Sequence, residues 1–284
     1  MINYNFAIFI ISHARADSVE TVKSLKKCNY SGRWYIICDD EDDQLDKYKD
    51  NFGEDHILVF NKDEIRPKFD MMDNFEGKGT PIFVRNAIWE IAKKLGLEYY
   101  LELDDDYCDF SIRSKVGTHL PIFNIVDFDG VCNAYIEFLN CGDIATVAFA
   151  QTGEMMGGLK GQVWRKKIKR KAMNAYFCKV DKPFDWHGRL NDDVNTYLFH
   201  GRIGKLFLTT AIVNVCQKVT QSKSGGITET YLNLGTYIKS FSSVMLRPDC
   251  VKVSSMGITD RRMHHEINDK CAYPMIISSK FKVE

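Results

Sequence analysis

The chain has 284 residues, 45% hydrophobic and 27% charged, with 38 basic residues against 38 acidic ones. A formal charge of zero excludes a polyelectrolyte tail and a global attraction to nucleic acid, so such a partner would have to meet a local patch. Six prolines and 19 glycines are too few for a disordered or collagenous chain, and the nine cysteines form no C-x-x-C pair of the zinc-ribbon or thioredoxin kind.

Phe6–Ser12 reads as a buried strand, with no basic flank before it and no small-residue cleavage site after it. Asp17-Ser18-Val19-Glu20 is a capping-box pattern, and Val19, Val22 and Leu25 follow at helical spacing. Trp34–Cys38 predicts a second strand running into Asp39-Asp40-Glu41-Asp42-Asp43, and Ile57–Phe60 a third. Arg85–Leu95 predicts a helix, with Gly96 where a C-terminal cap belongs. Tyr99–Leu103 is a fourth strand, followed directly by Asp104-Asp105-Asp106. Such alternation implies a largely parallel sheet with covering helices.

The second half is more mixed. Asp127–Asn140 reads as helix, Ile144–Ala150 as strand, and Gly153–Gly161 as a glycine-rich loop leading into a basic run. Asn174–Val180, Lys205–Thr210 and Ile212–Cys216 read as strands, Asp192–His200 and Ile227–Phe241 as helices. Leu206–Gln217 is uncharged but too short to span a bilayer, which takes about 20 residues. The expectation is one α/β domain with a mixed central sheet, cytoplasmic and without a membrane partner.

Ligands of open α/β sheets bind at the carboxyl ends of parallel strands. Three polar clusters fall there: Ser12-His13-Ala14-Arg15, Asp39-Asp40 and Asp104-Asp105-Asp106. Carboxylates at i and i+2 on a turn can converge on a hard cation, Mg²⁺ or Mn²⁺, whose shell is completed by water and phosphate oxygens. Asp104 and Asp106 fit that role, with Asp105 spare or on a ribose; an ordinary solvated acidic loop is the alternative. Asp39 and Asp40 suit a ribose or base edge, or a solvated turn. Ser12 and Arg15 stand where a phosphate or base would lie, although a surface arginine is also consistent. Arg85 opens a helix whose N–H groups favour anions, or else braces the acidic loop.

In Gly188-Arg189-Leu190-Asn191-Asp192-Asp193-Val194, the two acids serve as a helix cap or as a base facing a cleft. His264-His265 offers one further metal ligand or a structural pair. The run Lys160, Arg165, Lys166, Lys167, Lys169, Arg170 and Lys171, with Trp164 inside it, fits phosphate-backbone contact or a solvated face.

Taken in order, these motifs resemble nucleotide-sugar glycosyltransferases of the GT-A fold, and more closely the phage-encoded TET-associated glycosyltransferases. The stretches that carry the resemblance are Leu103-Asp104-Asp105-Asp106-Tyr107, Gly188-Arg189-Leu190-Asn191-Asp192-Asp193-Val194-Asn195, Gly225-Gly226-Ile227-Thr228-Glu229-Thr230-Tyr231, Gly235-Thr236-Tyr237-Ile238-Lys239-Ser240-Phe241 and Arg262-Met263-His264-His265. The resemblance implies a GT-A-like domain over 1–284, with a nucleotide-sugar-binding half at 1–115 and an acceptor-binding half at 116–284. It implies sugar transfer from a nucleotide-sugar, a UDP-sugar favoured, to hydroxymethylated pyrimidine such as hydroxymethylcytosine in bacteriophage DNA, in the host cytoplasm if phage-encoded.

Carried over, Asp104 and Asp106 match the metal motif for Mn²⁺ or Mg²⁺, and His264 or His265 the late histidine of its shell. Asp192 or Asp193 matches the acceptor-side base, and Asp39 or Asp40 the nucleoside contact. One departure stands out: Asn191-Asp192-Asp193 lies where Glu-Asp is expected. A metal-dependent nuclease or phosphohydrolase, or a non-catalytic DNA-binding protein, would also use clustered acids or the basic run.

Overall fold

The computed structural model describes residues 1–75, 77, 79–217, 235, 237–256 and 262–273. Its elements in chain order are β1 (Phe6–Ile11), α1 (Glu20–Lys27), β2 (Arg33–Asp39), α2 (Leu45–Phe52), β3 (Ile57–Phe60), α3 (Lys62–Ile65), α4 (Ile82–Lys94), β4 (Tyr99–Asp104), β5 (Tyr107–Arg113) and β6 (Ile122–Asn124). Then come α5 (Phe128–Asn140), β7 (Ile144–Gln151), α6 (Gln162–Lys166), β8 (Ile168–Lys169), β9 (Tyr176–Lys179), α7 (Asp192–Gly201), β10 (Leu206–Gln217), α8 (Ile238–Leu246), β11 (Val251–Met256), β12 (Arg262–Ile267) and α9 (Asp269–Ala272).

All six residues of β1 are buried, as a strand covered on both faces requires. Side chains alternate across a strand: Phe6, Ile8 and Ile10 join one core with α1, α2 and α5, while Ala7, Phe9 and Ile11 join a second core with α4 and α7. Helices therefore cover both faces of one mixed sheet. Its order is β3-β2-β1-β4-β9-β7-β10-β5-β6, with β8 beside β10. From β3 to β4 the pairings are parallel, β9 runs antiparallel to β4 and β7, and β5 runs antiparallel to β10. β11 and β12 form a separate antiparallel ribbon.

Several expectations shift at their edges. The helix predicted from Arg85 begins at Ile82, and Gly96 (φ +66°) ends it in a Schellman turn: Leu97 N donates to Ala92 O and Gly96 N to Lys93 O. The predicted capping box does not form. α1 starts at Glu20, Asp17 pairs with Lys47, and the first-turn Thr21 N–H donates instead to the carbonyl of Asp105, 3.2 Å away. A tertiary acceptor has replaced the local cap. The two strands read at 205–216 are one, β10, with a register shift between Thr209 and Asn214. β5, which returns directly from the acidic triplet, was not foreseen. Of the helix expected at Ile227–Phe241, residues 227–234 and 236 lie outside the described residues, as does the Gly225-Gly226 pair before it; the observed helix is Ile238–Leu246.

His200 on α7 is buried near the rings of Phe184 and Phe207, and its Nε2–H donates to the Asp185 carbonyl at 2.8 Å. Burial lowers its pKa to about 4. The unfolded chain thus binds a proton here between about pH 6.5 and 4 that the folded chain refuses, so this contribution to stability is lost as pH falls. Replacing His200 with Leu is expected to shrink the loss of unfolding free energy between pH 7 and 4.5 by about 2 kcal/mol. Urea denaturation of both proteins at the two pH values checks it.

Candidate functional site

β1 pairs with β4 in parallel, Ile11 opposite Asp104, while β2 and β3 lie on the other side of β1. The sheet order reverses at this point, so the turns after β1 and β4 flank a crevice at the carboxyl ends of both strands. The β1 turn places Ala14 in the left-handed region (φ 54°), unusual for a residue with a Cβ. Its backbone is over-determined by donors to fixed acceptors: Ala14 N to Asp42 Oδ2 (2.8 Å), Arg15 N to Tyr48 OH (2.9 Å) and Ala16 N to Gln44 Oε1 (3.0 Å).

The acidic turn is gripped from the side by α1. Thr21 Oγ1 donates to Asp104 O (2.6 Å) and accepts from Tyr107 N (3.1 Å), while Ser24 Oγ donates to Tyr107 O (2.9 Å). Strand parity then separates the three acids. Asp105 faces the β1 turn, buried, and accepts from Ser12 Oγ (2.7 Å) and Arg15 Nη1 (3.1 Å). Ser12, Arg15 and Asp105, all expected to meet the donor, thus hold one another. Asp104 accepts from Tyr107 OH (3.0 Å) and lies 3.8 Å from Arg85 Nη2. Asp106 accepts from Gln217 Nε2 (3.3 Å), and its Oδ1 is buried with no hydrogen-bond partner among the described residues. Burial, with Asp104 and Asp105 adding their charge, pushes the Asp106 pKa up to about 6.

Glu102 shares the Asp104 face of β4 and meets α4. Arg85, expected at the donor, is buried instead: its Nε donates to Glu102 Oε1 (2.9 Å) and its Nη1 to Asp192. Tyr176 and Trp186 lie 5.2 and 4.9 Å from its guanidinium carbon. Despite that cation, burial raises Glu102 to about 7 and also raises Asp192. Asp193, half-buried, is pushed up to about 6 by burial and by Asp192. The preceding Asn191 takes a left-handed conformation (φ 58°); its Nδ2 donates to Ser243 Oγ on α8 (2.6 Å) and lies 3.4 Å from His265 Nδ1. His265 is buried beside His264, ring centroids 4.3 Å apart, and burial lowers its pKa to about 4.

Asp39 is also engaged internally, by His13 Nδ1 (2.7 Å), Lys62 Nζ (2.7 Å) and Glu41 N (3.1 Å). Burial alone would raise its pKa, but the hydrogen bonds from His13 and Lys62 hold it below the usual carboxylate range, and the same bond raises His13. Asp40 is exposed and accepts from Asn61 Nδ2 (2.6 Å) and Lys62 N (3.1 Å). The basic run divides in two. Lys160, Arg165, Lys166 and Lys167 are exposed around half-buried Trp164, with Lys167 Nζ 5.8 Å from its ring. Lys169, Arg170 and Lys171 are half-buried, Arg170 against Tyr273 (4.8 Å) and Lys171 paired with Glu154.

Two contributors, Thr21 and Glu102, escape sequence reasoning, while His13 stands in the expected strand-end cluster without a role of its own. Of the two, only Glu102 left a signal, as a lone acid within an otherwise apolar strand. Among the described residues, no three His, Cys, Asp or Glu side chains group as metal ligands, and the histidine pair meets this network at Asn191. The acidic turn itself fits a hard cation. It supplies two carboxylates, one with an unused buried oxygen, and Mg²⁺ or Mn²⁺ needs only one or two besides water and phosphate oxygens.

A family model described as TET-Associated Glycosyltransferase matches residues 6–226. No curated protein matches the sequence. Among solved structures, the chain is similar to glucosyl-3-phosphoglycerate synthase from Mycobacterium tuberculosis in complex with Mg²⁺ and UDP (10% identity, 93% of this chain and 88% of that one, TM-score 0.45). It is also similar to a mannosyltransferase from Pyrobaculum calidifontis in complex with GDP-Man and Mn²⁺ (9%, 86% and 74%, 0.47) and to S. aureus TarS (11%, 84% and 65%, 0.41).

Thr21→Val keeps the shape of the side chain but removes the hydroxyl shared by Asp104 O and Tyr107 N. Leaving buried backbone groups unsatisfied costs about 1–3 kcal/mol. Chemical denaturation is expected to show that loss, with the Asp104–Tyr107 amides losing hydrogen-exchange protection first.

Proposed function

Because the chain belongs to the TET-associated glycosyltransferase family, we propose that it moves a sugar from a nucleotide-sugar, a UDP-sugar favoured, to a 5-hydroxymethylpyrimidine of phage DNA with Mn²⁺ or Mg²⁺. The observation that supports this most is the surplus of carboxylates at the sheet's reversal point. Asp104, Asp105 and Asp106 crowd there with Glu102, Asp192 and Asp193, and five of the six have pKa values raised, with burial the leading cause. Negative charge held at such a cost suits a place where a cation and a diphosphate meet.

Asp104 and Asp106 would hold the cation. A divalent ion, when bound, stabilises the charge that grows on the diphosphate as the sugar departs. Asp105, tied to Ser12 and Arg15, keeps the two turns in register. His13, more exposed than the Asp39 it pairs with and favoured in its charged form, would meet a donor diphosphate in place of that carboxylate.

Asp192 is committed to Arg85, which leaves Asp193 as the base. A pKa near 6 leaves Asp193 ionised at neutral pH yet able to take a proton. It accepts the hydroxymethyl proton as the acceptor oxygen bonds to the anomeric carbon. The bond from that carbon to the diphosphate oxygen breaks, and its electron pair leaves with the nucleotide. Exposed Lys160, Arg165, Lys166 and Lys167 supply a local cationic patch for DNA phosphates despite the neutral chain.

The test combines a thermal-shift panel of nucleoside diphosphates, with and without Mn²⁺, with mass spectrometry of a hydroxymethylcytosine oligonucleotide incubated with the corresponding sugar nucleotides. A nucleotide at 100 times its Kd is expected to stabilise by about 2.7 kcal/mol. Asp106→Asn is expected to abolish the Mn²⁺-dependent part of that shift. Asp193→Asn is expected to keep the shift and lower transfer by about 10²–10⁴-fold. Absence of any nucleotide shift would sink the donor site, and a shift without a gain in oligonucleotide mass would sink the DNA acceptor.

A further inference from the structure

We infer that Arg85 is a positioning residue, a buried strut that sets the start of α7, and with it Asp193, against the acidic turn. The inference rests on the function proposed above and adds to it the part that fixes the distance between the donor and acceptor sides.

Three elements converge on this one side chain. Arg85 stands on α4, Glu102 and Asp104 on β4, and Asp192 opens α7. At 5% exposure it has no route to a ligand. Its guanidinium uses separate nitrogens in separate directions: Nε to Glu102 at 2.9 Å, Nη1 to Asp192, and Nη2 facing Asp104 Oδ1 at 3.8 Å. Tyr176 and Trp186 pack against it. A planar fork of fixed geometry transmits position in a way a point charge does not.

The first turn of α7 is pinned a second time, from α8. Asn191 Nδ2 donates to Ser243 Oγ (2.6 Å), and Asn195 Nδ2 to Ser242 Oγ (2.9 Å). Anchored on both sides, the turn presents Asp193 at one place. An error of about 1 Å in such a place costs roughly 10²-fold in rate.

A plain counter-ion would serve equally well as lysine, and that separates the two roles. Arg85→Lys keeps the charge and loses the fork. The double variant Arg85→Met/Glu102→Gln removes one buried charge of each sign, so the net charge of the cluster is kept while Asp192 loses its partner, and it decides the matter if the lysine variant does not fold. Each is assayed with UDP-glucose, Mn²⁺ and a hydroxymethylcytosine duplex, with kcat and KM resolved, alongside the thermal shift given by UDP and Mn²⁺.

The expected result is kcat lower by about 10²-fold, donor KM within about threefold of wild type, and an unchanged UDP shift. Wild-type kcat in either folded variant would overturn the strut. Loss of the UDP shift along with kcat would also overturn it, making Arg85 a brace of the donor turn. If the wild-type protein itself neither shifts with UDP nor transfers, it is the proposed function that falls, and the strut with it.

Discussion

The parallel pairing of β1 with β4 is the constraint from which the site follows. Once Ile11 stands opposite Asp104, the alternation of a strand decides where each acid points. Glu102 and Asp104 turn towards α4 and its arginine, while Asp105 turns towards Ser12 and Arg15. A slip of one residue would exchange these environments and put Leu103 where Arg85 now finds its carboxylates. The apolar residues of the same strands resist that slip, because Leu101 and Leu103 belong to one core and Tyr100 to the other. Hydrophobic register therefore fixes electrostatic register.

Charge is the second organising quantity. The chain is neutral overall, yet six carboxylates gather around two arginines at one edge of the sheet. Burial disfavours their ionised forms, and each adds repulsion to its neighbours. Asp39 shows the opposite regime a short distance away, where His13 and Lys62 satisfy the carboxylate and depress its pKa. The satisfied acid behaves as structure, whereas Glu102 and Asp106 among the crowded ones each keep a buried oxygen with no hydrogen-bond partner among the described residues.

The alternating first third of the chain was legible because buried parallel strands are continuous apolar runs and their ends are polar. Ile57–Phe60 matched residue for residue, and the acidic triplet landed at a strand end as expected. Less legible was anything decided by partners distant in sequence. Arg85 reads from the sequence either as an anion-binding arginine at a helix start or as a brace of the acidic loop, and the fold, in which α4 begins a turn earlier and buries it against Glu102, favours the brace. The capping box at Asp17 had the right letters, but a carbonyl 84 residues further on, at Asp105, offered Thr21 a better-placed acceptor. Ser12, Arg15 and Asp39 suit either a ligand or an ordinary surface turn in the sequence, and the fold pairs each of them with another residue of the same chain.

The Arg85–Asp192 contact joins positions 107 residues apart, and this separation has a bearing on how the molecule assembles. The strands of the first 104 residues pair mainly with one another, so that segment can gather Arg85 and Glu102 into a locally balanced ion pair while the remainder of the chain is still unplaced. Asp192 opens α7, which follows β7 and β9 in the chain, so its pairing with Arg85 is a non-local contact whose loop-closure cost must be met before it rewards folding. A distant element thus adds two carboxylates to a cluster in which four already gather around two arginines. Only Asp192 and Asp193 come from a distant element; Glu102, Asp104, Asp105 and Asp106 are neighbours in the chain, so their mutual repulsion is present wherever β4 and its turn form.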